Sequence, residues 1–330
     1  MNFDLDDDQR DAAAGAKDFF SEQASPADAR RALDGGSLQP GRKALADVGF
    51  LGITVPESAG GAGRGVLDLA VVAEQAGAVL AGPSLVTAAR AAELLADHPD
   101  LLAALADGSR GFAVLDGPVE GSAPSIDALD ADLFLGLDGG ALVVGEGQVT
   151  AGTPMDATRG LASVRLTSRR VLAEDAGALW TRARQVGAVA LAAEDLGAAA
   201  RAVQMGVDYA TMRQAFGRFI GSYQAVKHSL VDAWVGVEQL RSLVWWAAWA
   251  ADESPSELPL AASAAMAFAA ETLERAAETC IQVHGGVGFT WEHDAHLYWR
   301  RAKVDRLLLG DEAEHLDAVA GLVLDGALTR

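Results

Sequence analysis

The amino-acid sequence predicts a mainly α protein with a small β domain set between two helical parts. Three observations carry this. Ala, the best helix former, is abundant. Apolar residues recur at helical spacing on both sides of the chain's middle. From about 110 to 175 the texture changes to short β-rich runs split by Gly, Pro and Asp. Three parts follow: an N-terminal helical domain over 1–108, a middle β domain over 109–177, and a C-terminal four-helix bundle over 178–330.

In the first part, "FDLDDDQRDAAAGAKDFFSEQA" places Leu5, Phe19 and Phe20 on a mostly polar helix with acidic residues in its first turn, and "DGGSLQPG" ends it. A short helix leads to the loop "VGFLGITVPESAGGAGRG", where Pro56, Gly60 and Gly61 stop regular structure. "VLDLAVVAEQAGAVL" is helical, and "AARAAELLADHPDLLAALADG" gives two helical pieces split at Pro99. In the second part, "GFAVLDG", "ADLFLGLDG", "ALVVGEGQVTAG" and "LASVRLTSRRVL" read as strands with tight turns. The third part holds long helices with short links. One runs through "ALWTRARQVGAVALAAEDLGAAARAVQMGVDYATMRQ". The next runs through "AFGRFIGSYQAVKHSLVDAWVGVEQLRSLVWWAAWAADES" and ends at "SPSELP". A third reaches from near Leu260 to about Val283, and a last one spans roughly Asp294 to Leu308.

The 330 residues are half hydrophobic, which suits a folded chain with a sizeable core. Lys plus Arg number 26 against 46 Asp plus Glu, a net charge of −20. So acidic a surface repels nucleic acid and anionic lipid, and an anionic ligand needs a local gathering of basic residues. The single cysteine, Cys280, excludes an internal disulfide and a Cys-based zinc site, and fits a cytoplasmic location. The acidic start "MNFDLDDDQRD" lacks the basic and apolar regions of a signal peptide. Apolar runs such as "LVWWAAWAA" are too short to span a bilayer.

Two C-terminal stretches carry a family resemblance. "YATMRQAFGRFIGSYQAVKHSLVD", from Tyr209 to Asp232, resembles one signature of the acyl-CoA dehydrogenases, and "QVHGGVGFTWEHDAHLYWRRAK", from Gln282 to Lys303, resembles the other. The N-terminal "GFLGITVPESAGG" is similar to a third family stretch. The resemblance implies the family's helix–β–helix fold and oxidation of the Cα–Cβ bond of an acyl-CoA. In the family a carboxylate takes the α-proton while the β-hydride passes to FAD, and an electron-transfer flavoprotein is the usual acceptor. It also implies paired subunits, with these two stretches gripping the neighbour's FAD. The residue chemistry suits that role. Arg213 offers several fixed donors to a pyrophosphate, and Phe216 can pack on the cofactor. Gln224 and Gln282 can donate and accept around ribose, adenine and phosphate. Gly285 and Gly286 let the backbone approach an anion, and Arg218 and Lys227 add local positive charge. Plainer readings stand beside these: Arg213 as a surface charge, the glycines as a helix C-cap, Trp245, Trp246 and Trp249 as core or interface. His284, His293 and His296 lack the partners of a metal site.

The sequence departs from the family twice. Aligned through Arg301 to Lys303, Leu309 falls where many members carry the base Glu, and Gly310 on the Gly that follows it. Some members place the base early in the first long C-terminal helix; that position falls near Gly187, beside Val186 and Ala188. The remaining carboxylates are weak candidates: Asp311, Glu312 and, behind them, Glu194. Asp311 lies two residues from the family position with a shorter side chain, and is better suited to cap a helix beginning near Glu312. Second, "AVLDGPVEGSAPS", from Ala113 to Ser125, stands where the family has a polar loop that touches flavin and substrate. The half-site lent to a neighbour is thus intact while the chain's own half is poor. That asymmetry resembles the heteromeric α2β2 acyl-CoA dehydrogenases of steroid-degrading systems. It implies a second dehydrogenase-like subunit and a bulky acyl-CoA, with a steroid-derived one as the candidate. The alternatives are a homomeric enzyme using Asp311 or Glu312, and a flavin-free structural or binding paralogue.

Overall fold

The computed structural model describes residues 4–328 of the chain. Phe3, where the opening helical reading begins, and the outermost ends of the two flanking ranges lie outside the described residues. Six helices come first: α1 (Asp7–Gln23), α2 (Pro26–Leu33), α3 (Arg42–Asp47), α4 (Val66–Ala78), α5 (Leu85–Leu94) and α6 (Pro99–Ala106). The strands β1 (Phe112–Val114), β2 (Leu133–Asp138), β3 (Ala141–Gly145), β4 (Gly147–Ala151), β5 (Ala162–Leu166) and β6 (Arg170–Ala173) follow. Then come α7 (Gly177–Met212), β7 (Gln214–Ala215), β8 (Arg218–Phe219), α8 (Gln224–Glu253), α9 (Leu258–His284), α10 (Ala295–Asp305) and α11 (Glu312–Leu328). The expected mainly α architecture with a small β segment is therefore the observed one.

Local chemistry sets the boundaries. Asp6 and Gln9 form a reciprocal capping box, with Gln9 N–H on Asp6 Oδ1 at 2.8 Å and Asp6 N–H on Gln9 Oε1 at 3.0 Å. The first helix stops sooner than the sequence reading placed it. Pro26 forces Ser25 into extended backbone, and α2 starts on the proline itself. Pro99 likewise opens α6. The reading of Ala215 to Tyr223 as helix is also corrected: these residues form the β7–β8 hairpin and a 3-10 turn. Phe216 and Gly217 take left-handed backbone, φ +53° and +78°, which no helix accommodates.

β1, β2, β3 and β6 form one sheet in that order, with β1 parallel to β2 and the other pairs antiparallel. β4 and β5 form a separate antiparallel pair. The helical core is built largely from alanine, and small side chains let helices approach closely. Where α4 crosses α7, a Cβ on Gly77 would sit 1.8 Å from the Glu194 carbonyl oxygen, and one on Gly197 would sit 1.7 Å from that of Glu74. Only glycine fits on either side of that crossing.

A buried charge network ties the strands to the bundle. Arg159, fully buried before β5, donates Nε to Asp305 at 2.8 Å and ion-pairs with Glu194. Arg301 on α10 donates to Asp156 at 2.5 Å. Ser84, the N-cap of α5, donates its hydroxyl to Glu194 at 2.8 Å. Carboxylates outnumber guanidiniums here. Burial, reinforced by Asp305, pushes the Asp195 carboxyl well above the ordinary carboxylate range, and burial pushes Asp127 up to about 7. Asp156 moves the other way: burial opposes it, but Arg301 and the Thr158 hydroxyl hold it below the usual value.

Candidate functional site

The antiparallel path of α7, α8 and α9 brings the C-terminal ends of α7 and α9 and the start of α8 to one end of the bundle. The Tyr209 ring stacks on His284 there, centroids 4.3 Å apart, and His284 in turn contacts His293 at 4.1 Å. The two sequence stretches are thus one surface. Arg213, Phe216, Gln224, Gln282, Gly285 and Gly286 all lie on it, and all are exposed.

The β7–β8 hairpin is built rigidly. Both central residues have positive φ, the pattern of a two-residue type I′ turn. Tyr223 donates its hydroxyl to the Ala215 carbonyl at 3.1 Å, Ile220 N–H donates to Arg213 at 2.8 Å, and the Arg218 guanidinium lies 3.8 Å over the Tyr223 ring. At its tip Phe216 is 97% exposed. A phenylalanine with left-handed backbone, left wholly in water, violates both backbone and burial preference. Such a violation persists where the residue has something else to touch.

On the other stretch Gly285 ends α9, donating its N–H to Gln282, with φ +63° and ψ −142°, a conformation open to glycine alone. Gly286 has ordinary backbone in the 3-10 turn Gly285–Phe289. A Cβ at either glycine would meet nothing within 4 Å, so both faces are free for an approaching group. Val287, Phe289 and Trp291 stand exposed beside them. The segment after the turn is anchored from α2. Arg30 donates to the Trp291 and Glu292 carbonyls at 3.1 and 3.2 Å and ion-pairs with Asp294. Arg300 lies 4.7 Å over the Trp291 ring and donates to the Met155 carbonyl. Sequence spacing gave no sign of Arg30, which lies some 260 residues from its partners.

Burial lowers the His293 and His296 pKa values, aided at His293 by His284 and at His296 by Arg300, so these rings are neutral near pH 7. Arg213, Arg218 and Lys227 form no ion pair among the described residues, although acids outnumber bases nearly two to one. Unpaired cations, open glycine backbone and exposed aromatic rings together suit an anionic ligand with flat rings. FAD, with its pyrophosphate and two ring systems, fits that description.

The other half of a cofactor site is different. In the Ala113–Ser125 loop, Ser122 Oγ accepts from Val164 N–H at 3.0 Å and Ser125 donates to the Ala123 carbonyl at 3.1 Å, both turned inward and buried. The Asp116 carboxylate is taken by Arg90, with two hydrogen bonds at 2.8 and 2.7 Å. Leu309 is 5% exposed and left-handed, φ +57°. The three weak candidate carboxylates are engaged elsewhere. Asp311 Oδ1 accepts from Glu314 N–H at 2.9 Å as the cap of α11, Glu312 pairs with Arg306 at 2.8 Å, and Glu194 belongs to the buried network. A cavity of about 510 Å³ beside Leu309 is lined by two carboxylates, Asp116 and Glu314, each paired to arginine. No helix among the described residues is long and apolar enough to cross a membrane.

Residues 150–324 match the family model described as the acyl-CoA dehydrogenase C-terminal domain, and residues 6–98 match that of the N-terminal domain. Acyl-CoA dehydrogenase IpdE2 of Mycobacterium tuberculosis is 37% identical over 279 residues, covering 82% of this chain and 81% of that protein. Acyl-CoA dehydrogenase FadE34 of the same organism is 36% identical over 309 residues, covering 87% of this chain and 42% of FadE34. Among solved structures, a chain of the ChsE4-ChsE5 complex from Mycobacterium tuberculosis superposes with a TM-score of 0.87 at 26% identity, covering 98% of this chain and 99% of that one. A chain of the Tcur3481-Tcur3483 steroid ACAD does so at 0.82 and 25%, covering 97% and 99%.

Proposed function

Because the chain belongs to the acyl-CoA dehydrogenase family, we propose that it serves as one subunit of a heteromeric FAD-dependent enzyme. The enzyme dehydrogenates the Cα–Cβ bond of a bulky acyl-CoA, and a steroid-derived thioester is the class favoured by the likeness to a steroid ACAD and to a two-component complex. A second, related subunit contributes the base and most of the flavin contacts. The observation that carries this is the pairing of an exposed, uncompensated clamp with a base position filled by Leu309.

Bound FAD supplies the hydride acceptor. This chain's residues hold and orient it. Arg213 would hold the pyrophosphate through its fixed fork of donors. The backbone at Gly285 and Gly286 approaches the same anion without steric hindrance. Gln224 and Gln282 would satisfy ribose and adenine polar atoms, and Phe216 would pack on the cofactor and help shut out water. Arg30 and Arg300 keep the Trp291 segment in place so that the glycine turn does not drift. An electron-transfer flavoprotein would be the electron acceptor, as the family resemblance implies.

The test is expression of this chain alone and together with a candidate second acyl-CoA dehydrogenase-like subunit from the same genome. The complex is expected to be yellow, with one FAD per copy of this chain, while this chain alone is colourless. Stoichiometric FAD and full dehydrogenase activity from this chain alone would overturn the proposal. A colourless, inactive complex would select the flavin-free paralogue instead.

A further inference from the structure

The two positions at which the family resemblance places a base, near Gly187 and at Leu309, are far apart in sequence but meet in space. A Cβ on Gly187 would lie 3.4 Å from Leu309 Cδ1. It would also lie 2.6 Å from Arg90 Cγ and 2.7 Å from Arg90 Cδ. The aliphatic stem of Arg90, carried on α5 and 2% exposed, therefore fills the spot on which both positions converge. Its guanidinium continues past the Trp180 ring, 5.7 Å from the centroid, and ends in the two-pronged ion pair with Asp116 of the loop after β1. Arg90 Nε is buried without a partner among the described residues, so the head is positioned by Asp116 rather than by satisfying every donor.

We infer that the Arg90–Asp116 pair is a built-in plug. It bolts α5 to the β1 loop across the place where a thioester would lie in this subunit, and so dedicates the chain to the cofactor clamp at the other end of its bundle. This deepens the heteromeric reading and rests on it. A hydrocarbon stem in a proton acceptor's place can take no proton, and the bidentate arginine–carboxylate pair beyond it is a stiff, directional closure. Because both charges are neutralised by each other, the pair can occupy this half-buried place at an acceptable desolvation cost. Gly187 is the complementary concession, since any side chain there would collide with the arginine stem.

The experiment counts binding sites for 3-thiaoctanoyl-CoA, a thioester whose β-position sulfur carries no hydride, by calorimetry on the complex in which the chain is produced. Arg90→Ala with Asp116→Asn removes both charges and so leaves no orphaned ion. It is expected to bind one more thioester per copy of this chain than the native protein does. Asp116→Asn alone, altering the partner that is 39% exposed, is expected to show the same extra site at roughly tenfold weaker affinity. Leu309→Ala widens the cavity but leaves the pair, and is expected to add no site. The inference fails if the native complex already binds the extra thioester, if Leu309→Ala opens it as well, or if cooperatively folded Arg90 and Asp116 variants both bind the native number. Failure of the heteromeric reading looks different: the native chain alone would then hold FAD and oxidise thioesters.

Discussion

Gly285 and Gly286 are adjacent, equally open and chemically identical, yet substitution by alanine should separate stability from cofactor binding. Gly285 sits at φ +63°, ψ −142°. An alanine there keeps no clash, because nothing lies within 4 Å, but it must bear backbone strain of about 1–3 kcal/mol. Gly286 lies in an ordinary 3-10 turn, so Gly286→Ala should shift unfolding free energy by less than about 0.5 kcal/mol. Its methyl nevertheless projects into the space proposed for the pyrophosphate and lifts that anion off the backbone donors. Losing one charge-assisted hydrogen bond removes about 1.5–3 kcal/mol, which is roughly 10- to 150-fold in FAD affinity. Urea unfolding of each variant gives the first quantity, and the fluorescence of FAD titrated into the apo-complex gives the second. Native-like FAD affinity in Gly286→Ala would refute the reasoning, and so would a large stability loss in that variant.

Other perturbations reach the rest of the molecule. Arg159→Met removes the nearer of the two cations that Glu194 and Asp305 share and leaves them, among the described residues, only Arg301, 3.9 and 3.8 Å away; a loss of about 3–5 kcal/mol in urea unfolding is expected, and a loss below about 1 kcal/mol would deny the network its role. Asp127 has a folded pKa of about 7, raised by burial above its ordinary value. The stability contributed by its protonated state is fully present below about pH 4 and is lost as pH rises through about 7. Asp127→Asn should therefore gain stability relative to the native chain between pH 5 and pH 8, by up to about 4 kcal/mol, and a pH-independent difference would exclude this titration. Arg30→Ala breaks a half-exposed ion pair with small global cost. It should accelerate amide hydrogen exchange over residues 287–293 and weaken FAD binding; unchanged exchange there would show that Arg30 does not hold the segment.

Much of the fold was legible because its signals are local. Helical spacing in "VLDLAVVAEQAGAVL", Pro99, and the Gly-Asp punctuation around the strands act over a few residues, and the structure places α4, α6 and β1–β6 there. The misreadings were local as well. Pro26 ended α1 before the Gly pair did, and Phe216 and Gly217 folded a hairpin out of a stretch with helical composition. The residues proposed as a clamp were readable as matches to the family's motifs, and the hairpin explains why Phe216 in particular stands clear of the surface. Arg30, Arg90 and Asp116 carried no sequence signal, since each acts on a partner reached only through tertiary packing.

By itself the sequence determined the layering of helix, strand and helix and the acidic surface, which follow from side-chain type and short-range periodicity and need no knowledge of what lies opposite. The absent glutamate at Leu309 and the two stretches proposed to grip a dinucleotide came from the family resemblance. Only the tertiary structure decided that both stretches form one surface through Tyr209 and His284, that Asp311, Glu312 and Glu194 are engaged elsewhere, and that Arg90 lies where Gly187 and Leu309 meet. Those outcomes depend on distances of a few ångströms between residues separated by tens to hundreds of positions, and chain packing alone sets such distances.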